Sequence, residues 1–324
     1  MWGSTYLGIR IAVETIPPFL MAGTRFLAAG VILYGWSAWR SGRAGQPQRP
    51  SLREWRDSII VSAGLLLGGM GFVALGEQTI PSGIAAVMIA LMPAWLAIFS
   101  RAFFGDRLPR VVLFGIVIGL VGIVALAWPT ETGALEPFGL LALILSPVFW
   151  SLGSLYSARK ATLPSRPLLA TAMQMLAGGT LLTIAGLATG EAPRFHVDAI
   201  SPASASAFAY LVLVGSLVGY SSYVWLLRVA PLPRISTYAY VNPVVAVFLG
   251  ALVVGEPITL RTLVASAVIV IGVALIVTAR GRAPEPGVAE PEVVAPAADL
   301  PVPVATEPEP DQPGPTIRPR LRAK

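Results

Sequence analysis

Long uncharged apolar segments constrain the fold of this chain more than any other feature of its sequence. A helix needs roughly 20 apolar residues to cross the ~30 Å hydrocarbon core of a bilayer. Only 12% of the 324 residues are charged, about half the share found in soluble domains. The sequence therefore predicts an all-α polytopic membrane protein. Nine segments have about the required length: Pro17–Trp39, Ser58–Gly76, Pro81–Phe104, Leu108–Trp128, Ala134–Tyr156, Arg166–Ala188, Ser204–Arg228, Pro231–Gly255 and Ile258–Ala279.

The sequence contains an internal repeat with an offset of 150 residues. Pro81–Asp106 and Pro231–Glu256 are both apolar, both contain a central proline (Pro93 and Pro243), and both end in a glycine followed by an acid. Duplicated units of this kind are typical of secondary transporters. We therefore predict two five-helix halves. Because five is odd, the second half enters the membrane inverted relative to the first. The corresponding domains are residues 1–129, residues 130–280 and a tail of residues 281–324.

The apolar piece before the first full span, Met1–Ala12, is too short to cross the bilayer. Its Gly3–Tyr6 segment aligns with Gly153–Tyr156, which a full-length helix starting near Ala134 precedes in the second half. We therefore expect ten transmembrane helices. The first is expected to lack its front part, through a misplaced start codon or a truncated chain.

Basic residues in the connecting segments predict the orientation of the chain in the membrane. With the C-terminus in the cytoplasm, 13 basic residues lie in inside loops and three in outside loops. This bias follows the positive-inside rule and predicts that both termini are cytoplasmic. From residue 281 onward the chain holds 11 of its 29 prolines and no periodic apolar pattern. We expect this Pro-rich tail to be extended and disordered.

Residue usage argues against several kinds of chemistry. The chain has no cysteine, and its single histidine, His196, lies in a polar loop. It therefore lacks the usual ligands of a metal cluster and the base of a histidine-dependent triad. It also has no phosphate-binding glycine loop and no paired catalytic carboxylates. We expect no cofactor, no metal and no enzyme activity. Orientation in the membrane explains the net charge of +6 better than nucleic-acid binding does.

Pro93 and Pro243 are candidate hinges. Each proline lacks a backbone N–H and clashes with the carbonyl four residues before it, at Ile89 and Ala239. Such breaks are tolerated where the freed carbonyl faces protein or a wet cavity. The related positions of the two prolines favour helices that line the transport pathway and bend during transport. The alternative is a pair of static kinks that improve packing.

Aromatic and polar side chains near these prolines predict a substrate cavity. Tyr220 and Tyr223 lie three residues apart, and Tyr238 and Asn242 lie four apart, so each pair shares a helical face. Such side chains offer stacking faces and hydrogen bonds to amphipathic or aromatic organic solutes. The alternative is that they only pack, or lie at the membrane interfaces. The predicted substrate-binding residues are Tyr6, Arg25, Met88, Trp95, Trp150, Tyr220, Tyr223, Tyr238 and Asn242.

Arg25 and Glu77 are the charged candidates. Arg25 is the only charged residue well inside a predicted span, and a charge there usually faces a cavity or a partner. Its predicted role is to attract a carboxylate or to gate the outer side. The alternative is a structural ion pair to Glu77 or Glu14, or an arginine that snorkels to the membrane surface. Glu77 would carry a coupling proton if burial raises its pKa. The favoured alternative is an ordinary acid at the membrane interface.

Two further pairs of residues have structural interpretations. We expect Asp106 and Glu256 to cap the helices that follow them. Gly115 and Gly119 form a small-residue face that permits close helix contact, either within the monomer or in a homodimer.

Three stretches of the sequence resemble the EamA-type branch of the drug/metabolite transporter superfamily. They are WGSTYLGIRIAVETIPPFLMAGTRFLAAG near the start, ALGEQTIPSGIAAVMIALMPAW around Glu77, and the glycine–acid junctions at Gly105 and Gly255. The resemblance covers the chain from Met1 to about Ala279. It implies a ten-helix inverted repeat with a central cavity, in a bacterial inner (plasma) membrane. It also implies export of metabolites, amino acids or drugs, without naming a substrate.

The sequence therefore predicts a secondary active transporter that works by alternating access. Its partners are a small-molecule substrate and the lipid bilayer, without nucleic acid. One alternative is a non-transporting sensor or scaffold that acts through the tail. An intramembrane enzyme is less favoured, because Ser4 and Ser154 have no histidine or lysine within the membrane to activate them.

Overall fold

The computed structural model describes residues 2–43, 49–127, 135–235 and 238–281. Within these ranges the chain forms ten main helices and no β-strand, and the predicted tail from residue 282 onward lies outside them. A short helical turn, Leu232–Ile235, precedes the ninth helix. The helices are α1 (Trp2–Ala12), α2 (Pro18–Arg43), α3 (Leu52–Gly76), α4 (Ser82–Phe104), α5 (Arg110–Ala127), α6 (Pro137–Arg159), α7 (Pro167–Ala188), α8 (Pro202–Val229), α9 (Tyr238–Val254) and α10 (Leu260–Gly281).

Most of these helices are suited to cross a bilayer. Seven of them, α2, α3, α4, α6, α7, α8 and α10, are long and apolar enough to span it. Helices α5 and α9 are also apolar but shorter over the described residues. Helix α1 has only 11 residues, or about 16 Å at 1.5 Å per residue. The expectation that this first piece is too short to span is therefore met.

Local signals in the sequence explain where several helices begin and end. Helix α3 starts six residues before the predicted Ser58, because Ser51 and Glu54 form a reciprocal capping box ahead of it. Helix α8 starts after Ser201, whose hydroxyl accepts a hydrogen bond from the Ser204 amide at 3.0 Å. Gly105 and Gly255 follow α4 and α9 with φ of 71° and 69°, a left-handed conformation that glycine adopts without strain.

The acids that follow α4 and α9 are Asp106 and Glu256, and the hydrogen-bond partners of Glu256 differ from those that the capping prediction requires. Glu256 does not cap α10, which begins four residues later at Leu260. Instead its carboxylate accepts hydrogen bonds from the backbone amides of Ser82 and Gly83, at 2.7 and 3.2 Å, at the start of α4. Asp106 accepts hydrogen bonds from the Ser100 hydroxyl and from the Arg159 guanidinium. The predicted capping of the following helix was therefore wrong for Glu256.

Glycines allow the closest helix contacts. A Cβ atom added to Gly115 on α5 would lie 2.6 Å from the carbonyl oxygen of Gly272 on α10. A Cβ on Gly119 would lie 2.5 Å from the side chain of Leu91 on α4. The small-residue face of α5 therefore packs inside the monomer, the first of the two alternatives considered. Helices α2 and α7 approach each other in the same way, through Gly23 and Gly179.

Two helices contain a π-helical segment that the sequence pattern did not reveal. It covers Ala63–Gly71 in α3 and Leu211–Tyr220 in α8. Helix α4 is interrupted at Ala90 and Leu91, which separate Ser82–Ile89 from Met92–Phe104. Such segments are frequent at functional sites. They place irregular backbone near the middle of three long helices.

Several of the main helix contacts recur when the first five helices exchange places with the second five. Helix α1 packs against α8 and α9, and α6 packs against the corresponding α3 and α4. Helices α2, α4 and α5 each contact their own counterparts, α7, α9 and α10. Short as it is, α1 therefore lies at the centre of the bundle, where it contacts α4, α8 and α9.

Candidate functional site

Four aromatic rings meet where α1, α6, α8 and α9 converge. Trp2 on α1 lies 5.6 Å from Trp150 on α6, and 5.0 Å from both Tyr223 on α8 and Tyr238 on α9, between ring centroids. Tyr223 lies 5.2 Å from Trp150 and 6.2 Å from Tyr238. These distances fit the favourable edge-on and tilted arrangements of aromatic rings. We call these four residues the aromatic cluster.

A closed set of hydrogen bonds fixes two of these rings. The indole N–H of Trp150 donates to the hydroxyl oxygen of Tyr223 at 2.9 Å. The Ser154 hydroxyl donates to the carbonyl of Trp150 at 2.7 Å, so the Tyr223 hydroxyl donates to Ser154 across the remaining 2.7 Å contact. Every donor of the three side chains is therefore used, and both rings are held in one orientation.

The cluster borders a small cavity. Its free volume is about 20 Å³, which is room for roughly one water molecule. Organic ligands of drug size occupy pockets of roughly 300–1,000 Å³, so in this conformation the cavity is closed to such a solute. Its walls come from α1, α3, α4, α6 and α9: Trp2, Thr5, Tyr6, Ile9, Met70, Val73, Ile89, Ser146, Trp150 and Tyr238.

Three of the predicted substrate-binding residues, Tyr6, Trp150 and Tyr238, line this cavity. Tyr223 belongs to the aromatic cluster. Tyr220 does not face the same neighbours as Tyr223, since its hydroxyl donates to Gln174 Oε1 at 2.9 Å. Tyr220 ends the π-helical segment, and Tyr223 lies in the α-helical turn that follows it. Side chains three positions apart point about 60° apart around the axis of an α-helix, so the two rings meet different neighbours.

The other predicted residues lie outside the cavity walls. Trp95 stacks on Phe99, with ring centroids 5.7 Å apart. Met88 is buried in the apolar core. Asn242 is 7% exposed, and its backbone carbonyl lies close to Gly3.

The two prolines predicted to act as hinges occupy different environments. Pro93 is in the first turn of the second piece of α4, directly after the interruption at Ala90 and Leu91. The missing N–H of a proline costs nothing in a first helical turn. Pro243 lies inside α9, which is assigned as one helix from Tyr238 to Val254.

Several cavity residues were missed by the sequence reasoning. Trp2 contacts all three other members of the cluster, but these residues lie on helices distant in sequence, so no local pattern indicated the contacts. Met70 lies in the π-helical segment of α3, for which the sequence holds no clear signal. Gly69 beside it gives room to Trp150, whose ring would lie 2.6 Å from an added Cβ. That glycine was the one available clue.

Arg25 is buried, at 1% exposure, but it is not ion-paired as one alternative proposed. Its Nε donates to the Ser216 hydroxyl on α8 at 2.8 Å. Its guanidinium carbon lies 4.5 Å from the centre of the Phe26 ring. The described residues contain no salt bridge between Arg25 and either Glu77 or Glu14. Helix α8 therefore supplies the partner that the sequence assigned to an acid.

Glu77 differs from an ordinary interfacial acid. It directly follows the last residue of α3, is 0% exposed, and neither carboxylate oxygen has a hydrogen-bond partner among the described residues. Burial, followed by the nearby negative charge of Glu256, raises the pKa of the Glu77 carboxyl well above its ordinary value, and Arg10 and Arg25 oppose this effect. Its burial and its unpartnered oxygens therefore distinguish it from an exposed acid at a helix end.

No group of three or more metal-ligating side chains was found in the described parts of the chain. The fold and the site together define a multi-pass helical membrane protein with an aromatic cavity at its centre. The chain belongs to the EamA-like transporter family, which it matches over residues 1–128 and 137–278.

Individual relatives agree with this assignment. The chain is 39% identical over 280 residues to the Escherichia coli K12 protein named "Uncharacterized inner membrane transporter YedA", covering 85% of this chain and 87% of that protein. It is 26% identical over 301 residues to an Archaeoglobus fulgidus protein named "Uncharacterized transporter", covering 86% and 95%. A solved crystal structure with 20% identity matches with a TM-score of 0.62 over 87% of this chain and 95% of the other. That likeness concerns the fold alone.

Proposed function

We propose that this protein is a secondary active transporter that exports small aromatic or amphipathic solutes, such as metabolites, amino acids or drugs, by alternating access. The observation that carries the proposal is the closed cavity between five helices, bordered by the aromatic cluster. Aromatic faces bind apolar and cationic solutes with little demand for a particular hydrogen-bond pattern. Membership of a transporter family supports the same function.

Two observations support an inverted repeat. Several of the main helix contacts recur when the two sets of five helices are exchanged. The π-helical segments of α3 and α8, and the left-handed glycines Gly105 and Gly255, occur at nearly the same offset as the sequence repeat. Two halves of five helices related in this way would give the bundle two equivalent arrangements, one open to each side of the membrane.

The size of the cavity supports a conformational cycle. A volume of about 20 Å³ holds no organic solute, so helices that carry the aromatic cluster must move apart for one to enter. The irregular backbone of α3, α4 and α8 gives positions for that movement, since interrupted helices concentrate bending at the interruption. Pro93 follows one of these positions, and Pro243 is its repeat partner on α9.

We also place the protein in the inner membrane of a bacterial cell with both termini in the cytoplasm. The name of the Escherichia coli relative supports the membrane. The excess of basic residues in the inside loops supports the orientation.

Efflux from proteoliposomes tests the cavity, with radiolabelled phenylalanine and ethidium as probes. Trp150→Ala and Tyr238→Ala are expected to slow efflux of at least one probe on the order of tenfold, equivalent to about 1.4 kcal/mol. Trp95→Ala is the matched control, because Trp95 is a tryptophan beside Pro93 that stacks on Phe99 and does not line the cavity. Wild-type rates in both cavity variants, at normal yield of folded protein, would contradict the site.

A further inference from the structure

A buried carboxyl group without a partner lies at the end of α3. Glu77 is fully buried, and both of its side-chain oxygens lack hydrogen-bond partners among the described residues. Its backbone is well anchored, because Arg10 on α1 donates from Nη1 to the carbonyls of Glu77 and Gln78, at 2.9 and 3.0 Å. The side chain is thus held inside the protein by contacts that leave its carboxyl group free to change its protonation.

The charged neighbours of Glu77, which are Arg10, Arg25 and Glu256, all bind other groups. Helix α1 contributes Tyr6 and Arg10, and the Arg10 guanidinium binds backbone carbonyls. Helix α2 contributes Arg25, whose Nε binds Ser216. Glu256, after α9, binds the start of α4. None of these groups hydrogen-bonds the carboxyl oxygens in this conformation.

In the present conformation these surroundings favour the protonated carboxyl of Glu77, and a small movement would favour the carboxylate. A carboxylate that is removed from water without a partner is costly, so the closed site favours the protonated form. Two guanidinium groups are close enough to interact electrostatically with the carboxyl. A rearrangement that brings either of them into contact would stabilise the anion and release the proton.

We propose that Glu77 is the proton-binding site that couples solute export to a proton gradient. The inference rests on the proposed transport function and adds its driving ion. Glu77 takes up a proton in the conformation open to the outside. After the bundle reopens inward, the carboxyl O–H bond breaks and the proton passes to water on the cytoplasmic side. The electron pair stays on the carboxylate, whose charge is paired with Arg25 until solute leaves and the cycle repeats.

Infrared difference spectroscopy of the purified protein tests proton binding without any solute. The wild type should show the carbonyl band of a protonated carboxylic acid at neutral pH, and a shift of this band in D2O. Glu77→Gln should lack the band, and Glu14→Gln should keep it, because Glu14 is an exposed acid after the neighbouring α1. Absence of the band from the wild type, or its persistence in Glu77→Gln, overturns the proposal.

Proteoliposomes with an enclosed pH-sensitive dye test the coupling. In the wild type, an imposed pH gradient should drive accumulation of ethidium or phenylalanine, with proton movement in the opposite direction. In Glu77→Gln, gradient-driven accumulation of the probe should fall to the level seen in protein-free vesicles. Exchange of the same probe without a gradient should be retained. Glu14→Gln should behave as the wild type.

The outcomes separate this inference from the proposed transport function. If the wild type moves neither probe although the infrared band is present, the proposed transport function fails. If transport occurs but gradient-driven accumulation is the same in Glu77→Gln, the coupling fails and transport stands. Loss of ethidium exchange with intact phenylalanine exchange would mean that Glu77 binds the cationic solute itself, which also overturns the proton role.

Discussion

Glu191 and Glu77 are both buried glutamates that follow a helix, yet their surroundings are opposite. Glu191, at 3% exposure, accepts hydrogen bonds from the backbone amides of Phe19 and Leu20, at 3.1 and 2.8 Å, at the start of α2. Glu77 is slightly more buried and accepts none on its carboxyl oxygens. The burial of the two residues is almost equal, so burial alone does not explain the difference.

In the described parts of the chain the buried acids fall into two kinds, those that bind backbone amides and one that does not. Backbone amides at the positive end of a helix stabilise a negative charge, so Glu191 connects α2 to the segment after α7 as a structural carboxylate. Glu256 does the same for the start of α4. The carboxyl oxygens of Glu77 receive no hydrogen bond of this kind from the described residues.

The largest expected effect is the loss of stability in Glu191→Ala. The substitution leaves the Phe19 and Leu20 amides buried without an acceptor, which costs on the order of 3 kcal/mol. Thermal unfolding of the detergent-solubilised protein should show a clearly lower midpoint. Glu14→Ala, which removes an exposed acid, should leave the midpoint unchanged. Equal midpoints for Glu191→Ala and the wild type would show that the hydrogen bonds of Glu191 do not stabilise the fold.

A smaller loss is expected for Glu256→Ala. Glu256 also binds two backbone amides, but the contact is only partly buried, so water replaces part of the lost interaction. The expected cost is about 1–2 kcal/mol, measured by the same unfolding assay. A loss larger than that of Glu191→Ala would mean that exposure does not control these contacts.

The sequence predicted the overall fold well because hydrophobic length and repetition determine it. The spans, the short first helix and the ten-helix count rest on apolar periodicity and length, which a bilayer constrains strongly. The π-helical segments of α3 and α8 were missed, since they change hydrogen bonding without changing composition.

The site was predicted in part. Tyr6, Trp150 and Tyr238 line the cavity because aromatic residues near a broken helix are a recognisable pattern. Trp2 was missed, since its contacts lie on three helices distant in sequence. The partners of the acids were missed for the same reason: Glu256 binds residues 173 and 174 positions away. No local rule identifies such pairs.

The smallest expected effect is on the pH dependence of stability in Glu77→Gln. Because burial raises the pKa of Glu77 in the folded protein, the folded state holds this proton to a higher pH than the unfolded state does. The folded state therefore binds more protons within that window, and its stability falls as the pH rises through it. Below the ordinary pKa of glutamate, near about pH 4, this penalty is absent.

Glutamine is neutral at every pH, so the variant avoids the penalty. The unfolding midpoint of the variant, relative to that of the wild type, should therefore increase with pH. The difference should be smallest at about pH 5 and reach a few degrees at about pH 8. Glu191→Gln is the informative counterpart, because it removes a charge that two amides stabilise and should lower the midpoint at both values. If Glu77→Gln also lowered the midpoint by the same amount at both values, the carboxyl of Glu77 would be a structural anion like that of Glu191, and the distinction between the two acids would not hold.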